Sequence, residues 1–203
     1  MRVPLPSPNA DGSYATPRAG MMIDGDGARN IYAPKGFGKP LDHLANAGGP
    51  GNWYGIVTDS GKANGNPVVQ KKGDPFPGYY VSATSYEFPG FSRGNPLRYV
   101  DSAKVPYIVL PSHWRSEARG VVLGCKAQIE DTHTGVIVDA VVADFGPKAK
   151  LGEASIAAAN LCGVRSSPKD GGTADLRFCY TFWPNVPAEV LGVRYNLMPA
   201  DNT

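Results

Sequence analysis

Apolar and polar positions change places in short blocks along this chain, and the block from Val136 to Ala143 is interrupted only by Asp139. Its β-branched and small residues predict a strand buried on both faces. Gly146-Pro147 ends that strand, because proline fixes φ and has no N–H to give to a ladder. Beyond the break, Glu153 to Asn160 is alanine-rich and free of breakers, with Gly163 where a helix C-cap belongs. A helix is expected there. Asp144 then stands at the strand's end and Glu153 in the helix's first turn, one carboxylate on each side of a short loop.

The other blocks predict strands around this unit. Gly120 to Glu130 is a strand, and Asp131 to Gly135 a hairpin turn into the central strand, so residues 120–144 pair antiparallel. Val105 to Pro111 is an apolar strand held between prolines, and Phe178 to Trp183 closes the domain. Upstream, Asn52 to Asp59, Pro67 to Gln70 and Tyr79 to Thr84 read as strands separated by Gly, Asn, Pro and Asp turns. Trp53 and Tyr54 point to opposite faces, one to the core and one outward, where an aromatic ring near a cleft can stack on a sugar. Leu41 to Ala47 is a helical turn or two, and residues 85–98 form a long loop suited to binding. Residues 1–20 have no apolar period and read as an irregular arm; Asp24-Gly25-Asp26-Gly27 reads as an acidic turn after a short strand. No repeat, low-complexity segment or linker divides residues 21–203. One mainly β domain (α+β in the broad sense) with one main helix is expected.

Composition narrows the function classes. With 203 residues, 25 Gly and 19 Pro, the chain is long enough for a real core and rich in turns. A net charge of +2 and no basic run longer than Lys71-Lys72 argue against nucleic acid. No stretch reaches the length of a membrane helix. The opening Met-Arg-Val-Pro-Leu-Pro lacks an apolar signal-peptide core, so either a signal peptide has been removed or the protein leaves its cell by another route, such as lysis or a phage particle. Cys125, Cys162 and Cys179 have no metal-ligand spacing, and either one disulfide with a free thiol or three thiols fits them.

Nucleophile elbow, zinc, P-loop and dinucleotide motifs are absent, and His43, His113 and His133 lie in unrelated contexts. Carboxylates remain. Glycoside hydrolysis needs one protonated carboxyl to protonate the leaving oxygen and an ionised one to activate water or attack. Asp144 and Glu153, nine positions apart across a Gly-Pro turn, are the candidate pair. Asp139, on the opposite strand face from Asp144, is expected to partner a cation. Without catalysis, Asp144 would accept backbone N–H bonds in the turn, and Glu153 would face a helix N-terminus.

The chain resembles the chitosanases of glycoside hydrolase family 75. The resemblance rests on Ile-Asp-Gly-Asp-Gly-Ala (23–28), Leu-Asp-His-Leu-Ala-Asn-Ala-Gly-Gly-Pro-Gly-Asn-Trp (41–53) and Pro-Val-Val-Gln (67–70). It continues in Asp-Pro-Phe-Pro-Gly-Tyr-Tyr-Val-Ser-Ala-Thr (74–84), Arg-Tyr-Val-Asp-Ser (98–102), Pro-Tyr-Ile-Val-Leu-Pro (106–111) and the Ala-Asp-Phe-Gly-Pro to Gly-Glu-Ala-Ser-Ile-Ala stretch (143–157). It implies a six-stranded double-psi-type β-barrel and makes residues 21–203 a catalytic domain. It further implies an extracellular, cofactor-free, monomeric endo-hydrolase of β-1,4-linked glucosamine polymer, acting by inversion. Asp144 and Glu153 would be catalytic, by analogy base and acid; a helix dipole at Glu153 would favour the reverse, so both assignments stay open. A polycationic substrate calls for an acidic cleft, for which Asp24, Asp26, Asp42, Asp59 and Asp101 are candidates, with Asn52 and Trp53 beside them. The slightly basic chain keeps an acetylated or cell-wall amino-sugar glycan as an alternative substrate. A non-catalytic sugar-binding barrel is the alternative of a different class.

Overall fold

The computed structural model describes residues 7–114, 120–147 and 149–198. Six strands close into a β-barrel: β2 (Ala19–Asp24), β8 (Glu153–Ser155), β5 (Tyr107–Pro111), β7 (Ile137–Gly146), β6 (Cys125–Asp131) and β9 (Thr173–Pro187), which pairs back to β2. A short β1 (Tyr14–Ala15) adds to β9. The arm therefore reaches the sheet before residue 20, because Tyr14 is apolar enough to be buried there; residues 1–6 lie outside the described residues. Two pairs, β2 with β8 and β5 with β7, are parallel; the other barrel pairs are antiparallel.

Side-chain alternation explains the closure. Cys125, Ala127, Ile129 and Asp131 of β6 point inward, as do Phe178, Tyr180 and Phe182 of β9. β5 is buried at all five positions, as its unbroken apolar sequence demands. Each large side chain removed from water contributes about 1.5–3 kcal/mol. The expected hairpin is present, with Lys126↔Val141 through Glu130↔Ile137 in register. Its first strand begins at Cys125 rather than Gly120.

Between β2 and β5 the chain leaves the barrel and builds one wall of a cleft. This excursion carries two satellite cores, one of Ile31, Tyr32, Trp53, Ile56 and Ile156 with alanines, the other of Val57, Val81 and Tyr99. The strands expected at 52–59, 67–70 and 79–84 are there reduced to a two-residue pairing of β3 (Gly48–Gly49) with β4 (Asn52–Trp53) and to isolated bridges such as Ile56↔Ser82 and Thr58↔Pro67. Frequent Gly and Pro interrupt each ladder after one rung. The helical turn at 41–47 is a 3₁₀ turn over Leu44–Ala47.

The helix is shorter than its sequence suggests. α1 spans Ile156–Leu161, capped by Ser155 and followed by Gly163 at φ +66°, the left-handed position expected of it. Glu153 is not in its first turn. It begins β8, hydrogen-bonded between β2 and β5, and two-sided pairing overrides the local helix propensity of Gly-Glu-Ala-Ser. Among the described residues the three cysteines are free thiols. Asp139 is exposed and takes its bond from the Gln128 amide rather than from a cation.

Candidate active site

The ladder that closes the barrel also assembles the carboxylates. Val109 of β5 is the register partner of Asp144 on one side and of Glu153 on the other. Directly opposed residues of a sheet share a face, so both acids project to the same side, at the mouth of the barrel. Met22 pairs with Glu153 and Asp24 with Ser155 on the next strand, which brings Asp24 to the same place. Asp26 follows in the turn, where the Asp24 side chain accepts the Asp26 N–H at 2.9 Å.

Glycines make room for the acids. A Cβ on Gly146 would lie 2.8 Å from Glu153 Oε2 and 3.0 Å from Val109 Cγ1, so the Glu153 carboxylate rests over Gly146. Asp144 is two residues back on the same strand face, so both carboxylates open to the same cleft. Gly55 serves Asp26 in the same way: its absent Cβ would meet the two carboxylate oxygens at 3.0 and 3.1 Å.

Each acid has a distinct set of partners. Asp144 Oδ1 accepts from Ser85 Oγ at 2.5 Å, the Ser85 N–H at 3.0 Å and the Phe145 N–H at 2.7 Å. Asp26 Oδ1 accepts from the Tyr32 hydroxyl at 2.9 Å and lies 3.4 Å from Ser82 Oγ. Asp42, buried, takes the His43 N–H at 2.7 Å and both of its oxygens accept from Asn46 Nδ2 at 3.0 Å. Ser102 ties the scaffold together by donating to the Asp24 carbonyl and accepting the Ile156 N–H.

Protonation follows from this crowding. Burial, then the charge of Asp24, pushes Glu153 up to about 7, opposed by Lys150. Burial and Asp24 likewise push Asp144 up to about 7, but the Ser85 and Phe145 donors pull it back. Asp26 is raised well above the carboxylate range by burial and by Asp24, Asp144 and Glu153, and burial raises Asp24 as well. Several acids in one low-dielectric site do not all ionise together.

The cleft has a volume of about 810 Å³ and carries Asp24, Asp26, Asp42, Asp144 and Glu153 against Lys150, the one cation among its described lining residues. Exposed Tyr54, 67% accessible, stands on its wall, while Trp53 is turned into the satellite core against Tyr80. Sequence reasoning thus placed Asp24, Asp26, Asp42, Asp144 and Glu153 in one site. The remaining candidates lie elsewhere. Asp101 is buried beside Arg29 at 3.7 Å and Lys104 at 3.8 Å, and Arg29 in turn donates to the Gly27, Pro96 and Tyr99 carbonyls, a structural knot behind the cleft. Asp59 accepts turn N–H groups from Ser60 and Asn66. Asn52 is exposed in β4, outside the lining, and Trp53 is core. Ser85, Tyr32, Asn46 and Lys150 were not singled out, since polar loop residues carry no local mark of the distant acid they meet. Tyr54 did carry one, its outward alternation from Trp53.

Among the described residues no group of His, Cys, Asp and Glu is arranged to hold a metal ion. No protein-family model and no curated protein matches the chain.

Proposed function

We propose that this protein is an endo-acting glycoside hydrolase that cleaves β-1,4-linked glucosamine polymer with inversion. The observation that carries the reading is the placement of Asp144 and Glu153 on either side of Val109, facing one acidic cleft. In the proposed reaction protonated Glu153 gives its proton to the glycosidic oxygen as the C1–O bond breaks. Asp144 takes a proton from the water that bonds to C1 from the opposite face. Inversion follows from the resemblance to the family; it uses a carboxyl separation of about 6.5–9.5 Å, against about 5–5.5 Å for retention. Three donors on Asp144 stabilise its ionised form, as a base requires, and Glu153, raised to about the same value without such donors, suits the acid. The helix-dipole argument for the reverse assignment lapses, since Glu153 lies in a strand.

Five carboxylates in the cleft suit a polycation despite the net charge of +2, and Tyr54 offers a ring face to a sugar. Lys150 beside Asp24 and Glu153 favours a second reading, in which one subsite takes an acetylated or anionic unit of an amino-sugar glycan. Reducing-end release from fully deacetylated chitosan, beside chitin and peptidoglycan, tests both. The expected result is cleavage of chitosan that Glu153→Gln lowers at least a hundredfold. Cleavage of an acetylated glycan alone would replace the substrate, and inertness on all three would overturn the enzyme reading.

A further inference from the structure

We propose that Ser85 is the positioning residue that makes Asp144 the base of the pair, an inference that rests on the hydrolase reading above. All three described bonds to Asp144 end on one oxygen, Oδ1, and two of them come from Ser85, through its hydroxyl at 2.5 Å and its backbone N–H at 3.0 Å. Three hydrogen bonds accepted by one carboxyl oxygen favour the ionised form, whose negative charge strengthens each of them. This fixes the rotation of the group and leaves Oδ2 to the water of the reaction.

Ser85 is itself held firmly. The next residue, Tyr86, donates its N–H to the carbonyl of Ala143, the residue before Asp144, at 2.9 Å. On the other side, Thr84 Oγ1 donates to the Tyr86 carbonyl at 2.8 Å and accepts the Val100 N–H at 3.0 Å. Tyr86 is buried and packs edge-on against Phe88 and Tyr195. The segment is thus pinned to the end of β7 with its hydroxyl aimed at the acid. A base held within a fraction of an ångström is worth far more than one that swings.

Glu153 has no equivalent clamp among the described hydrogen bonds; its carboxylate rests over Gly146 and Val109. The asymmetry sorts two acids that line the same cleft. Donors favour the ionised state on Asp144, and the shared proton then resides on Glu153.

The test pairs kinetics with carboxyl ¹³C NMR titration of Asp144 in the wild type, Ser85→Ala and Ser85→Thr. In Ser85→Ala, the Asp144 midpoint is expected to rise by about one unit, because a donor to the charged form is gone. The acidic limb of kcat/KM should move the same way, and kcat should fall about 10–100-fold with KM within about twofold. Ser85→Thr, which keeps the hydroxyl, should restore both. An unchanged midpoint and acidic limb in folded Ser85→Ala would overturn the proposal. The NMR arm needs no turnover, so a wild type inert on every glycan with a shifted midpoint would sink the hydrolase reading and leave Ser85's hold on Asp144 intact.

Discussion

Space for a side chain at Gly146 is already taken by the Glu153 carboxylate. Gly146 has no positive φ, so alanine fits its backbone, and the cost of Gly146→Ala falls on the neighbours: Glu153 and Val109 must shift by several tenths of an ångström. A misplacement of about 1 Å at a reacting group costs on the order of 10²-fold in rate, so a shift of several tenths costs about tenfold. We expect kcat on chitosan to drop by about that factor while the melting temperature stays within about 4 °C of wild type. Full activity in this variant would mean that Glu153 does not work from the position over Gly146. At this scale the sequence was informative about identities and silent about contacts. The Ala-Asp-Phe-Gly-Pro and Gly-Glu-Ala-Ser stretches marked the two acids, and Asp24 and Asp26 were visible as an acidic turn. Ser85 was not, because its partner lies 59 positions away.

Strands, rather than the helix, present the site. Ser155 joins the two: its hydroxyl donates to the Val105 carbonyl at 2.8 Å and accepts the N–H groups of Tyr107 at 3.0 Å and Ala158 at 3.1 Å. It is fully buried, so Ser155→Ala strips a helix cap and leaves buried N–H groups without a partner. The expected loss is about 2–3 kcal/mol, read as a melting temperature lower by about 4–12 °C. A smaller change would mean that α1 and β5 are held by packing alone. The same region explains what the sequence left illegible. The β6–β7 hairpin was readable because its signals are local: alternation, a turn and a second run. β8 was not, because three residues gain strand structure only from partners on both sides. β9 likewise runs from Thr173 to Pro187 rather than 178–183, its polar start paired with β2 and its Pro-containing end with β6.

For the whole molecule, the acids concentrated in the cleft make stability depend on pH. Asp144 and Glu153 titrate near 7 when folded, against ordinary values of 3.8 and 4.5, and Asp26 is raised too. Between these values the native chain binds more protons than the unfolded one, so their stabilising contribution is full below about pH 4 and is lost as pH rises through about 7. Below about pH 4 the opposite loss begins at depressed carboxylates such as Asp59 and Asp170. Calorimetry should therefore find the melting temperature falling from pH 5 to 8. Glu153→Gln should be more stable than wild type at pH 8, each kcal/mol recovered giving about 2–4 °C. A melting temperature that rises steadily over that range would contradict buried, proton-sharing acids.

The most direct test of the account is the anomeric configuration of the first product, read by ¹H NMR within the first minutes of chitooligosaccharide cleavage, before mutarotation. Inversion by Asp144 and Glu153, which face one cleft from either side of Val109, predicts the α-anomer from a β-linked substrate. Accumulation of the β-anomer, or cleavage that persists unchanged in Glu153→Gln, would contradict it.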